Sequence, residues 1–158
     1  MTPPAARREG RRRHAACVYG YTTAQWGNVR DKLPMIPVVL SWGTKGFRTK
    51  MLLDTGATST FLIPDVAEYL ELTVTGDPTE AHGAGRAFSV RDAEVEVQLE
   101  VGHSFGVAPE RHRIPVKIPT EADAIPFPVL GRKPFFGWYE ITIRELREEI
   151  ILRRVYHD

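Results

Sequence analysis

Apolar and polar residues alternate with a period of two along most of residues 34–155. Across 93–101, Ala93, Val95, Val97, Leu99 and Val101 interleave with Glu94, Glu96, Gln98 and Glu100. That spacing gives one dry face and one wet face, as in an antiparallel strand. Ile36, Val38 and Leu40 alternate with Pro37, Val39 and Ser41, and Phe47, Thr49, Met51 and Leu53 with Arg48, Lys50 and Leu52. Between these two runs, Trp42-Gly43-Thr44-Lys45-Gly46 reads as a hairpin turn. Arg113–Ile118, Glu140–Ile143 and Ile150–Val155 predict further short strands, the last centred on Ile150-Ile151-Leu152. The charged string 144–149 fits a hairpin connection better than a helical turn. Helix signals are few. Pro64 suits the first position of a short helix through Leu70, where its missing N–H costs nothing, and a second short helix can follow Gly131, limited by Pro134. Many short strands, 12 prolines and 13 glycines predict an all-β domain, a small barrel or sandwich.

Residues 1–33 lack this alternation and read as a loose, disordered Arg-rich extension, with the domain over 34–158. Charge sharpens the division. The first 33 residues hold seven Lys/Arg against two acids, a net +5, which leaves −4 for 34–158 in a chain of formal charge +1. A dedicated nucleic-acid domain is basic, so nucleic acid is not the expected partner. Arg11, Arg12 and Arg13 read as a solvated tail, with at most weak contact to a polyanion. The most apolar run, MIPVVL at 35–40, falls far short of the ~18 residues of a membrane span. The segment HAACVYGYTTAQWG lacks the apolar stretch of roughly 7–15 residues in a secretory signal. A soluble, cytoplasmic protein with no membrane partner is expected. The single cysteine, Cys17, excludes an intramolecular disulfide framework and a multi-thiolate metal site. His103 and His112 lack neighbours at ligand spacing, so neither metal nor cofactor is expected. A chain of 158 residues suits one domain, burying about 68–70% of its unfolded surface.

The chemistry concentrates at Met51-Leu52-Leu53-Asp54-Thr55-Gly56-Ala57-Thr58-Ser59-Thr60-Phe61-Leu62. An apolar strand ends in an aspartate at the rim of a core, where its carboxylate must be hydrogen-bonded or change its pKa. Thr55 offers a hydroxyl, and Gly56 lets the backbone turn and bring N–H groups to that carboxylate. No serine stands in a nucleophile elbow. By itself, this pattern also fits an aspartate that merely caps a turn.

Asp54-Thr55-Gly56-Ala57 resembles the active-site signature of aspartic proteases. Val129-Leu130-Gly131-Arg132, followed by Phe135-Phe136, resembles the second motif of the retropepsin-like members. Gly131 lies 77 residues after Asp54, a separation that suits one lobe of that family. Between the motifs, Ala81-His82-Gly83-Ala84-Gly85-Arg86-Ala87-Phe88 resembles the family's glycine-rich flap hairpin. The resemblance covers about residues 34–155. The chain departs from many retroviral members at Thr58 and Ser59, where those carry acids, so Arg132 needs a different partner here.

The resemblance implies a small closed β-barrel with one or two short helices and an aspartic endopeptidase active as a homodimer. The chemistry takes two carboxylates on one water, and this chain carries one such motif. Asp54 of each subunit would form the dyad, Thr55 would brace it across the axis, and Gly56 backbone would contact substrate. Ala57, His82, Gly83, Ala84 and Gly85 would line an extended peptide. Leu130, Gly131 and Arg132 would be a structural motif, with Arg132 holding the start of the following short helix to the core. Strand 150–155, with an unpaired apolar edge, would join an intersubunit sheet. The competing reading is a catalytically silent module of the same fold that dimerises or binds peptides by strand addition.

Overall fold

The computed structural model describes residues 16–83, 85–101 and 110–156. Eleven strands and one α-helix make up the described chain, so the all-β expectation holds. Strands β4 (Met35–Trp42) and β5 (Lys45–Leu53) form a hairpin through Gly43-Thr44, and Gly43 takes φ +57° in that tight turn. The long strand β7 (Arg86–Leu99) organises the main sheet. Its first half pairs with β6 (Thr75–Gly83), its second half with β4, and β8 (Arg111–Pro119) runs along its other edge. The two-residue strand β9 (Val129–Leu130) lies parallel to the end of β5. Helix α1 (Pro64–Tyr69) starts on Pro64, as the sequence predicts.

The inward positions of β4, β7 and β8 supply the core, including Ile36, Val38, Leu40, Val95, Val97, Ile114 and Val116. Burial in β7 changes parity between Val90 and Ala93. The hairpin end of the sheet therefore turns its opposite face inward. There Phe88 and Val90 form a small separate cluster with Ala124. The named strands pair into an open sheet rather than a closed barrel. At the gap between β8 and β9, the segment 60–62 bonds both ways. Phe61 exchanges two 2.9 Å backbone hydrogen bonds with Val129, Lys117 N–H donates to Thr60 O at 2.9 Å, and Leu62 N–H donates to Lys117 O at 3.1 Å.

Two expectations meet a different structure. Residues 16–33, read from composition as loose extension, contain β1 (Ala16–Gly20), β2 (Thr22–Trp26) and β3 (Val29–Leu33). Strand β1 is only five residues long and carries two inward side chains, Cys17 and Tyr19, too few for alternation to stand out. Its pairing partner, β11 (Glu149–Arg154), lies at the far end of the sequence. The arginines at 11–13 lie outside the described residues. The second correction concerns the strand expected at 150–155 to reach another subunit. Strand β11 is central in a sheet ordered β1-β11-β10, with β10 spanning Tyr139–Arg144. Both of its edges are already paired within the chain. The charged connection 144–149 is a hairpin link that also contains a single 3-10 turn, Glu145–Arg147.

A polar seam joins this small sheet to β8. His112 Nε2 lies 3.0 Å from the Tyr139 hydroxyl, and its ring stacks on Trp138 at 4.2 Å. Arg154 donates to Glu110 Oε2 at 3.0 Å and to Trp138 O at 3.0 Å, and the Tyr156 hydroxyl donates to Glu110 Oε1 at 3.1 Å. Burial, and then the nearby Arg154 charge, lower the His112 pKa, while Glu110 opposes this. Burial also pushes Tyr139 up to about 12, so its hydroxyl keeps its proton and can donate to neutral imidazole.

Two outcomes are expected. Removing residues 1–20 uncovers one edge of β11, so the shortened chain should melt at lower temperature and self-associate in sedimentation; an unchanged melt and a monodisperse boundary would contradict this. Since His112 resists protonation when folded, the unfolded chain binds the extra proton first. Stability should therefore fall as pH drops through about 6.5. Melting curves from pH 8 to 5 should show a shallower loss for His112→Asn than for wild type, and parallel curves would refute the assignment.

Candidate active site

Strand β5 ends at Leu53, and the chain then leaves the sheet as a short turn. Both strand residues before Asp54 are tied to neighbouring segments. Leu52 N–H donates to Pro128 O at 2.9 Å and Leu53 N–H to Pro34 O at 2.9 Å. Asp54 N–H then donates to Leu130 O at 3.2 Å. The carboxylate is half-buried, and its Oδ1 accepts the Gly56 N–H at 2.8 Å. Ala57 N–H donates to Asp54 O at 3.3 Å and completes the turn. A Cβ on Gly56 would stand 3.2 Å from Asp54 Oδ1, crowding the carboxylate it serves. Thr55 and Gly56 are exposed at the tip.

The second motif locks this turn from beneath. Arg132 N–H donates to Ala57 O at 2.9 Å and Lys133 N–H to Thr58 O at 2.9 Å. Gly131 N–H donates to the hydroxyl of Thr60 at 3.1 Å, and Thr60 is fully buried. Any Cβ at Gly131 would lie 2.0 Å from Ser59 O, a backbone atom that cannot step aside. Glycine is required here for close approach rather than for an unusual φ. The guanidinium of Arg132 donates to Thr58 Oγ1 at 3.2 Å. So Thr58, one of the two positions where retroviral relatives carry acids, is the altered partner that Arg132 needed.

The structure thus brings Asp54, Thr55, Gly56 and Ala57 together with Leu130, Gly131 and Arg132. His82, Gly83 and Gly85 sit at the tip of the β6–β7 hairpin, where Gly83 pairs with Arg86 and Gly85 turns at φ +78°; Ala84 lies outside the described residues. His82 is exposed and pairs with Glu80 at 3.0 Å. This hairpin is anchored to the segment at 121–125. Arg86 Nη2 donates to Asp123 O at 3.1 Å, and Ala124 packs against Phe88 and Val90. Thr60 escaped the sequence reading. Its signal was a hydroxyl residue directly before the apolar run Phe61-Leu62-Ile63, an awkward burial unless a donor awaits it. Cys17 is buried, which pushes its thiol up, as expected of a packing residue. Among the described residues, no group of three or more His, Cys, Asp and Glu is placed to hold a metal ion.

A turn that fixes one carboxylate thus sits on the Gly131-Arg132 turn. A family model described as Aspartyl protease, a retropepsin-like family, matches residues 41–118. Over these residues, the chain is similar to retropepsin-like aspartyl proteases. The match spans β5, the Asp54 turn, α1, the β6–β7 hairpin and β8. It stops short of the Gly131 motif, which structure alone ties to this retropepsin-like site. Comparison with curated proteins finds no match.

The lock can be tested apart from any activity. Gly131→Ala should cost more than about 3 kcal/mol, since backbone would have to move. Thr60→Val, which leaves a buried N–H without its acceptor, should cost about 1–3 kcal/mol. Denaturant melts measure both, and values near zero would remove the lock from the account.

Proposed function

We propose that this chain hydrolyses peptide bonds as a homodimeric aspartic endopeptidase, each subunit contributing one Asp54. The observation that carries this reading is the exposed tip Thr55-Gly56 beside a half-buried, backbone-fixed carboxylate. A carboxylate at such a tip can meet its own copy across a two-fold axis. Two carboxylates about 3 Å apart share a proton, because both cannot ionise at once. The ionised one takes a proton from water, and the protonated one polarises the scissile carbonyl. The water oxygen adds to the carbonyl carbon, and the amine leaves with the returned proton.

In this reading Thr55 braces the dyad across the axis, and Gly56 backbone and Ala57 meet the peptide. His82, Gly83, Ala84 and Gly85 belong to a hairpin that covers the bound chain. The rung at Thr60–Leu62 supports the finer view of the sheet as a small closed barrel. With both edges of β11 occupied, dimerisation would use surfaces other than that strand.

Asp54→Asn should lower cleavage of denatured protein by at least about a thousandfold while leaving the melting temperature close to wild type. Activity per subunit should rise with concentration over the range where sedimentation shows monomers becoming dimers. Peptide binding without cleavage, unaffected by Asp54→Asn, would favour the silent binding module instead. Full activity in a strict monomer would overturn the shared dyad.

A further inference from the structure

The sheet β1-β11-β10 has two unlike faces. Ile150 and Leu152 turn inward from β11, Cys17 and Tyr19 from β1, and all four join the core. The alternate positions point the other way. The register sets them in three rows, read from β10 through β11 to β1. Glu140, Arg153 and Ala16 form the first row, Thr142, Ile151 and Val18 the second, and Arg144, Glu149 and Gly20 the third. Val18 is 48% exposed, and neither it nor the half-buried Ile151 belongs to a core cluster. The outer rows are ion pairs. Arg153 Nη1 lies 3.7 Å from Glu140 Oε1, and Arg144 Nη1 lies 3.7 Å from Glu149 Oε1. Both pairs are loose and partly open to water, so alone they contribute little.

The signs in these rows reverse from end to end. On β10 they run from negative Glu140 to positive Arg144, and beside them on β11 from positive Arg153 to negative Glu149. The face therefore complements a copy of itself in one orientation. The axis that does this lies across the strands, over the row Thr142-Ile151-Val18. It brings the partner's Arg144 to Glu140 and the partner's Glu149 to Arg153. Ile151, Val18 and Thr142 each meet their own copies, two apolar contacts and one pair of hydroxyls. Such sheets keep their strands roughly aligned, about 10 Å apart. The other two-fold in this plane, along β11, would set Arg153 and Glu149 each against its own copy. Charge thus selects one arrangement and opposes the other.

We propose that the outer face of the β1-β11-β10 sheet binds the same face of a second copy, with the charged rows on either side of Ile151 setting the register. The edges of β11 are taken by its neighbours, but this face of it is not. In the contact each loose pair joins a four-charge checkerboard, so every charge gains a second opposite neighbour. The shared rows are five residues deep on three strands. At ~4.8 Å per strand and ~3.4 Å per residue they span about 250 Å². A standard interface uses about 800 Å² per partner, so the contact is weak and forms at high protein concentration. It uses no residue of the Asp54 turn and does not rest on the protease reading. Where the dyad unites two subunits through other surfaces, this face joins such dimers into tetramers.

Two full-length variants test this, each reversing one row while keeping its internal ion pair: Glu140→Arg with Arg153→Glu, and Arg144→Glu with Glu149→Arg. Alone, either variant sets like charge against like at every charged position of the contact. Mixed, the two set opposites together again. Sedimentation at rising concentration in low salt should show wild type doubling in mass, and added salt should weaken the doubling. Each variant alone should self-associate at least about tenfold more weakly. An equimolar mixture should associate like wild type, and all should melt within a few degrees of one another. Val18→Lys changes one exposed side chain, so it reads the contact even if a reversed row impairs folding; it too should stop the doubling. Wild type that never doubles, variants that double unaided, or a mixture that stays apart would each overturn the inference. Because the readout is mass, none of these results bears on cleavage by Asp54.

Discussion

One contact governs the geometry of the candidate site: the backbone of Gly131 lies directly against the backbone of Ser59. No side chain fits between them. The N–H that results is buried, and the Thr60 hydroxyl satisfies it. From this contact the neighbouring bonds follow in both directions. Residues 57 and 58 accept from 132 and 133, residue 54 donates to 130, and residue 61 exchanges bonds with 129. The carboxylate of Asp54 thus inherits its position from backbone on both sides, without relying on long side chains. Such a turn holds its geometry at low entropic cost, since most of its hydrogen-bonding groups were fixed by folding.

The same arrangement explains why Arg132 tolerates a neutral partner. Its backbone is already held at Ala57, so the guanidinium need not anchor the turn electrostatically. An acid at position 58 would add a charge-assisted bond. A threonine suffices where glycine and main chain supply the rigidity. Departure from the retroviral pattern at Thr58 therefore leaves the placement of Asp54 untouched.

Much of this was legible in residue order. Strands β4, β5, β8 and the second half of β7 carry enough alternating positions to declare a buried face. The two motifs were readable because each needs glycine beside a fixed polar group. What stayed hidden had physical reasons. Strand β1 buries only Cys17 and Tyr19, and its sequence surroundings are polar and basic. Strands β2 and β3 bury no residue fully, so no periodicity marks them. The first half of β7 was obscured by its change of inward parity. The central place of β11 depends on a partner that sequence separation concealed, and an apolar strand gives no sign of whether both edges are taken.

That pairing of β1 with β11 also imposes an order on assembly. The two strands are joined across about 130 residues of intervening chain, so their registration is among the costliest loop closures in the molecule. Hairpins such as β4–β5 and β10–β11 can form locally and early, whereas β1 must wait beside an unfinished sheet. Newly made chains therefore pass through an interval in which Tyr19 and Cys17 lack their cover and the β11 edge lies open.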